Sequence, residues 1–347
     1  MVRSRAVLLF FSTALGAAEI EPCTRPTSAC REAVPLGAAG RFVNVYRSFP
    51  LTRPNSGIRL AYVMIHGAGR NADHYFATAM ASTFLAGRTQ DTLVVAPRFA
   101  GNDGRACKDP LDAGEISWRC GGWTGAEPPL DDGKVYSFDL IDKLLETFSN
   151  RKLFPALERI VLAGHSAGGQ FTNRYSAAGR GPKSVSIPIQ YVVSNPSSYL
   201  YLEPVRPAPG MKCAAQSGCA GAYAEFADAA KCGGYNRWRY GLDQRTGYAA
   251  AVEEAELRAQ IVSRDVVYLL SELDTLPIAG FDSSCGAMAQ GPTRFDRGLA
   301  YFQYLKDKHS ARHQLVPVPL CGHNARCVFT ADPALKVVFG TTSTSSN

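Results

Sequence analysis

The sequence predicts an α/β fold built on a mostly parallel sheet covered by helices on both faces. Three observations predict it. Strand-like and helix-like segments alternate through most of the chain, the pattern of parallel strands joined by helical crossovers. A short apolar run, Ile160 to Ala163, leads into the turn Gly164-His165-Ser166-Ala167-Gly168-Gly169 and then into the helix-like stretch QFTNRYSAA. The 347 residues, 46% of them hydrophobic, are ample for one large core, and α/β domains of this size often stay single.

The chain opens with an expected secretory leader over residues 1–18. Arg3 and Arg5 form its positive start, Ala6 to Phe11 begin the apolar stretch, and Gly16-Ala17-Ala18 supply small residues for cleavage. The apolar run is too short to span a bilayer, and no later stretch of about 20 uninterrupted apolar residues occurs. An uncleaved anchor is the alternative. Residues 19–40, rich in Pro, Ala and Gly, read as irregular. The main domain is expected over 41–340, followed by a polar tail at 341–347.

Strands are expected over 42–48, 60–65, 93–96, 160–163, 189–193, 266–270 and 314–318. Helices are expected over 72–85, 137–149, 167–178, 249–262 and 294–308. In the helix over 137–149, Phe138, Ile141, Leu144, Leu145 and Phe148 mark one apolar face at helical spacing, which is a core face. Two segments break the alternation. Residues 102–133 are rich in Gly, Asp and Pro, and residues 195–247 in Pro, Tyr, Gly and Cys. Over such a sheet they form a lid or pocket wall, or else disulfide-stapled surface loops.

Ten cysteines, none of them in the leader, fit an exported protein with a disulfide framework. Short intervening loops favour Cys23–Cys30, Cys107–Cys120 and Cys321–Cys327. Cys213, Cys219, Cys232 and Cys285 are left to pair among themselves. No C-x-x-C pair exists, so a zinc site is not expected. The net charge of +7 falls by two without Arg3 and Arg5, and the basic residues are scattered among acids. Nucleic-acid binding is not indicated.

Gly-x-Ser-x-Gly at 164–168 carries the chemistry. A chain of this composition produces such a motif by chance roughly 0.2 times, so the strand–turn–helix context is what gives it weight. A serine on that sharp turn is pushed out at the top of a sheet, with small neighbours because the backbone folds tightly on itself. Ser166 is the candidate nucleophile. A serine hydroxyl needs a base, usually histidine, and a carboxylate to fix the tautomer of that base. Active residues lie just past the carboxyl ends of parallel strands, in the chain order Ser, acid, His.

That rule selects His323, in the loop Cys321-Gly322-His323-Asn324 after the last strand. His309 and His313 precede that strand. Their i, i+4 spacing could hold a metal, but a solvated helix end is the simpler reading. For the acid, Asp265 precedes the strand over 266–270. Glu272 and Asp274 follow it, and Asp274, further into the loop, is the choice. Glu272 is its nearest rival and Asp282 a more distant one. The oxyanion needs backbone donors. These are expected at Ala167, after the nucleophile, and at Ala68, in the loop His66-Gly67-Ala68-Gly69 after an early strand. His66 is expected to support that loop by hydrogen bonding.

With these pieces in order, HGAG at 66–69, GHSAGG at 164–169, ELDT at 272–275 and CGHN at 321–324, the chain resembles the α/β-hydrolase superfamily over about residues 41–340. It looks most like secreted serine esterases of the feruloyl-esterase and polyester-depolymerase kind. The resemblance implies eight strands, one of them antiparallel. Seven are visible, so the first is hidden in 21–40 or missing. The superfamily also hosts peptidases and inactive binding proteins, so the fold does not fix the reaction.

The expected function is a secreted carboxylic-ester hydrolase, extracellular or periplasmic. It would act through an acyl-enzyme intermediate on a small or polymeric ester, with no metal or organic cofactor. Trp118, Trp123, Tyr199 and Trp238 are candidates for an aromatic substrate wall, with buried packing as the competing reading. The rival functions are a serine peptidase or amidase on the same triad, and a non-catalytic binding protein on the same scaffold.

Overall fold

The apolar runs pair into one sheet. The computed structural model describes residues 20–131, 134–278 and 280–340. Its main sheet has eight strands: β1 (Arg31–Pro35), β2 (Phe42–Arg47), β3 (Leu60–Ile65), β4 (Thr92–Pro97), β5 (Arg159–His165), β6 (Ile189–Ser194), β7 (Asp265–Ser271) and β8 (Gln314–Val318). Their spatial order is β1-β2-β4-β3-β5-β6-β7-β8. Strand β2 runs antiparallel to both neighbours, and the other adjacent pairs are parallel.

The eighth strand is β1, inside the segment that reads as irregular. Its sequence, REAVP, has one buried residue, Val34. As an edge strand it needs one partner and tolerates polar residues and a terminal proline. The central strands differ. All six residues of β3 are buried, and alternate residues face opposite sides. Ala61, Val63 and Ile65 join a core with α2 (Ser137–Ser149), α3 (Ala167–Ala178), α4 (Glu254–Ser263) and, past the short α5 (Cys285–Met288), α6 (Arg294–His309). Leu60, Tyr62 and Met64 join a second core with α1 (Ala72–Leu85), α7 (Ala325–Thr330) and α8 (Asp332–Phe339). Burying one Val, Leu or Ile contributes about 1.5–3 kcal/mol, so packing on two faces fixes the register of these strands.

Helices α1, α2 and α3 occupy the expected spans. In α2 the five marked apolar residues are all buried, and the Asp139 carboxylate caps its start by accepting from the Tyr136 amide at 2.8 Å. The helix expected over 249–262 is interrupted. A 3₁₀ turn at Gly247–Ala251 is followed by extended Val252 and Glu253, and α4 then starts at Glu254. A continuous helix would set Val252 roughly 140° from Leu257. The break lets Val252 and Leu257 both enter the core.

The ten cysteines form five disulfides. Cys23–Cys30, Cys107–Cys120 and Cys321–Cys327 pair as expected, and the other four pair as Cys213–Cys219 and Cys232–Cys285. The excursions are tied to the body of the fold. Buried Arg174 of α3 donates to Thr124 O (3.1 Å), Thr124 Oγ1 (2.9 Å), Ser198 Oγ (3.1 Å) and Arg239 O (3.2 Å). One guanidinium thus grips both segments. Among the described residues no helix is long and apolar enough to cross a membrane. The expected leader and polar tail lie outside the described residues.

Candidate active site

Strand β5 delivers the chain into a strained turn. Ser166 has φ 60° and ψ −120°, a region that costs a side-chain-bearing residue about 1–3 kcal/mol. The turn is held by Ser166 N donating to Ser194 O at 2.9 Å and by Gln170 N donating to Ser166 O at 3.0 Å. Backbone crowding explains the flanking glycines. A Cβ on Gly164 would lie 2.2 Å from Gly168 O, and one on Gly168 would lie 2.3 Å from Ile65 O.

Three parallel strands end together, and their loops bring three side chains into line. Ser166 follows β5, Asp274 follows β7 and His323 follows β8. His323 Nε2 lies 2.9 Å from Ser166 Oγ, and His323 Nδ1 lies 2.6 Å from Asp274 Oδ2. With Nδ1–H donating to the carboxylate, Nε2 is left to accept the serine proton. Ser166 and Asp274 are both buried. The two partner loops are joined by Leu273 N donating to Cys321 O at 3.0 Å. Disulfide Cys321–Cys327 brackets His323.

The acid rivals are not hydrogen-bonded to His323. Asp282 accepts from Tyr240 Oη at 2.7 Å, and the Glu272 amide donates to Val318 O at 3.1 Å. His309 meets Glu203 at 3.1 Å, whereas His313 meets Ile261 O at 2.8 Å. Those two histidines therefore do not converge on a common point.

The loop after β3 borders the serine. A Cβ on Gly67 would lie 3.7 Å from Ser166 Cβ and 2.6 Å from Tyr75 Oη. Ala68 follows in a turn closed by Arg70 N donating to Gly67 O at 3.0 Å. Ala167 is the first residue of α3, where backbone amides lack intrahelical partners. His66 is buried beneath the loop. Its Nδ1 donates to Gly67 O at 2.9 Å and its Nε2 accepts from Phe99 N at 3.0 Å. Burial pushes its pKa down to about 4, so the ring is neutral. Arg70 grips the first excursion through Asp109, with Nε 2.6 Å from Oδ2.

Three of the four aromatic candidates are corrected. Trp118, Trp123 and Tyr199 are fully buried. Trp123 packs on His66 and Phe99 at centroid distances of 4.6 and 5.4 Å, and Tyr199 stacks on Tyr301 at 4.6 Å. Large rings in the Gly-rich segments are drawn in to cover the sheet, so they are core. Trp238 is half-buried, with Nε1 donating to Gly125 O at 2.8 Å.

Two further residues touch the site without a signal in the sequence. His165 is buried with its ring centroid 4.6 Å from that of His323. Burial, then the proximity of His323 and Arg294, holds its pKa well below the ordinary value. Arg294 reaches the second oxygen of Asp274, with Nη1 3.4 Å from Oδ1. Position 294 reads in sequence as the plain start of a helix, and nothing there indicates an inward-facing guanidinium.

The chain is similar in fold to the LpqC poly(3-hydroxybutyrate) depolymerase from Bordetella parapertussis. That match has a TM-score of 0.55 and 20% identity, covering 85% of this chain and 86% of that one. It is similar also to poly(aspartic acid) hydrolase-1 from Sphingomonas sp. KT-1, with a TM-score of 0.57, 20% identity and coverage of 89% and 97%. No curated protein matches the sequence. The model of the alpha/beta hydrolase family matches residues 62–338. By that match, most of its length, the chain belongs to the alpha/beta hydrolase family.

Proposed function

We propose that this protein is an exported carboxylic-ester hydrolase working through Ser166, His323 and Asp274. The observation that supports it is the continuous relay from Ser166 Oγ through both ring nitrogens of His323 to Asp274 Oδ2, at 2.9 and 2.6 Å. His323 takes the serine proton as Oγ attacks the ester carbonyl. Asp274 fixes the tautomer and stabilises the imidazolium. The Ala68 and Ala167 amides receive the negative charge on the carbonyl oxygen. His323 then protonates the departing alcohol. Water, activated by the same ring, attacks the acyl-enzyme and releases the acid.

The segments 102–133 and 195–247 would wall the substrate cleft on a single domain that begins before residue 41, since β1 (Arg31–Pro35) is part of its sheet, with half-buried Trp238 the remaining aromatic candidate. Five disulfides support export to an oxidising compartment. The two similar structures are named for a polyester and for poly(aspartic acid), so amide hydrolysis is the second reading. Parallel assays with matched ester and amide substrates test the choice, with ester turnover expected to be faster. A fluorophosphonate probe should label the wild-type protein and fail to label Ser166→Ala. Labelling that survives the substitution would remove Ser166 from the mechanism, and absent labelling would favour a binding protein.

A further inference from the structure

Arg294 is the first residue of α6 and is fully buried. Its Nε donates to Ser197 Oγ at 2.8 Å and its Nη2 to Ile278 O at 2.8 Å. Its Nη1 faces Asp274 Oδ1 at 3.4 Å, and the Phe281 ring centroid lies 5.2 Å from Cζ. The same helix end holds the backbone of the acid, since Phe295 N donates to Asp274 O at 3.3 Å. Carboxylate and guanidinium are both shielded, with side-chain exposures of 1% and 0%. Between such groups a 3.4 Å contact is little screened by solvent. Burial lowers the pKa of Arg294, and Asp274 acts in the opposite direction.

The other ionisable groups around the Asp274–His323 pair are neutral, engaged elsewhere or, in one case, part-exposed to solvent. His165 and Tyr199 are buried, and burial disfavours the charged form of each. Tyr75, on α1, is likewise pushed up by burial. Arg297, one turn along α6, donates to Asp282 O at 3.0 Å, and the Asp282 carboxylate accepts from Tyr240. Glu272, on the loop of Asp274 itself, is part-exposed. On α7, Arg326 turns away to donate to Ala77 O at 3.1 Å.

We propose that Arg294 is a positioning residue: its cation stands against Oδ1 of the Asp274 carboxylate and its bonds aim Oδ2 at His323. This rests on the triad reading given above. Removing a cation beside a carboxylate–imidazole pair eases addition of the first proton to that pair, whichever member receives it. The acid limb of the kcat/KM profile must therefore move to higher pH.

The test is the pH profile of Arg294→Met and Arg294→Lys, measured on the folded, fluorophosphonate-reactive fraction. Arg294→Met should raise the acid-limb pKa by about 1 unit. It should also lower kcat about tenfold or more with little change in KM. Arg294→Lys keeps the charge and should leave the limb near its wild-type position. A limb unmoved in Arg294→Met, or moved equally in Arg294→Lys, overturns the inference. Should Arg294→Met not fold, Asp274→Asn and the double variant Asp274→Asn/Arg294→Met decide, because the double variant leaves no unpaired buried charge. If Arg294 acts through the Asp274 charge, the double variant should turn over within about threefold of Asp274→Asn. A further tenfold loss in folded protein would overturn the inference. Absence of Ser166 labelling in the wild type would instead overturn the triad reading beneath it.

Discussion

The Nδ1 of His323 and the Oδ2 of Asp274 lie 2.6 Å apart, on neighbouring loops at the carboxyl ends of β8 and β7. Both side chains are shielded, with exposures of 4% and 1%. Asp274→Asn should therefore lower kcat by about 10³–10⁴-fold by admitting the wrong imidazole tautomer. Glu272→Gln should stay within about threefold of wild type, because Glu272 has no bond to His323. Steady-state kinetics on folded variants check the ranking, and the reverse order would transfer the acid role to Glu272.

Acid lability should trace in part to His66. Its folded pKa of about 4 lies below the ordinary value of 6.5, so below pH 6.5 the unfolded chain binds a proton that the folded protein refuses. Its effect is absent above about pH 7, and stability is lost as pH falls from 6.5 toward 4. The full loss is about 3 kcal/mol. Denaturant unfolding from pH 7.5 to 4.5 measures the slope, which His66→Gln should reduce. Buried His165 adds to the loss in the same direction.

Two disulfides should separate stability from activity. Chain-entropy arguments assign about 4 kcal/mol to Cys232–Cys285, which closes a long loop, and about 2 kcal/mol to Cys321–Cys327. Replacing the first pair by serine should lower the melting temperature more. Replacing the second should lower kcat more, because that bridge brackets His323. Melting curves and kinetics on both double variants check the crossover, and one variant being worse in both measurements would contradict it.

Gly168→Ala should damage the turn while conserving every polar group of the site. The new methyl would meet the carbonyl oxygens of Ile65 and His66 at 2.3 and 2.7 Å. Overpacking of this kind costs about 1–3 kcal/mol. The forced shift between the serine turn and the Ala68 loop should lower kcat about 10²-fold. Wild-type turnover in the folded variant would mean that the turn can relax without moving Ser166.

The candidate site was legible where chain order and strand ends constrain it. Ser166, Asp274 and His323 each follow an apolar run, and one geometric rule sorts them from their neighbours. Elements with a different physical basis escaped. Strand β1 buries one side chain and so lacks an apolar signature. The break before α4 depends on which way Val252 must face, which is decided by the assembled core. Trp118, Trp123 and Tyr199 lie in segments whose composition suggests loops, yet those segments fold back and bury them. Arg294 meets Asp274 across twenty residues through tertiary packing that no local pattern encodes.

Arg174 carries a consequence for how such a protein can diversify. On the proposed function the two excursions are the regions where a change of substrate preference would be written, yet both are hydrogen-bonded to one cation rooted in α3. Grafting either segment from a relative that lacks the hydroxyl of Thr124 or Ser198 would strip a side-chain acceptor from a buried charge, a loss of about 1.5–3 kcal/mol. Laboratory recombination should therefore succeed when residue 174 and both excursions travel as one block, and fail when they are exchanged piecemeal.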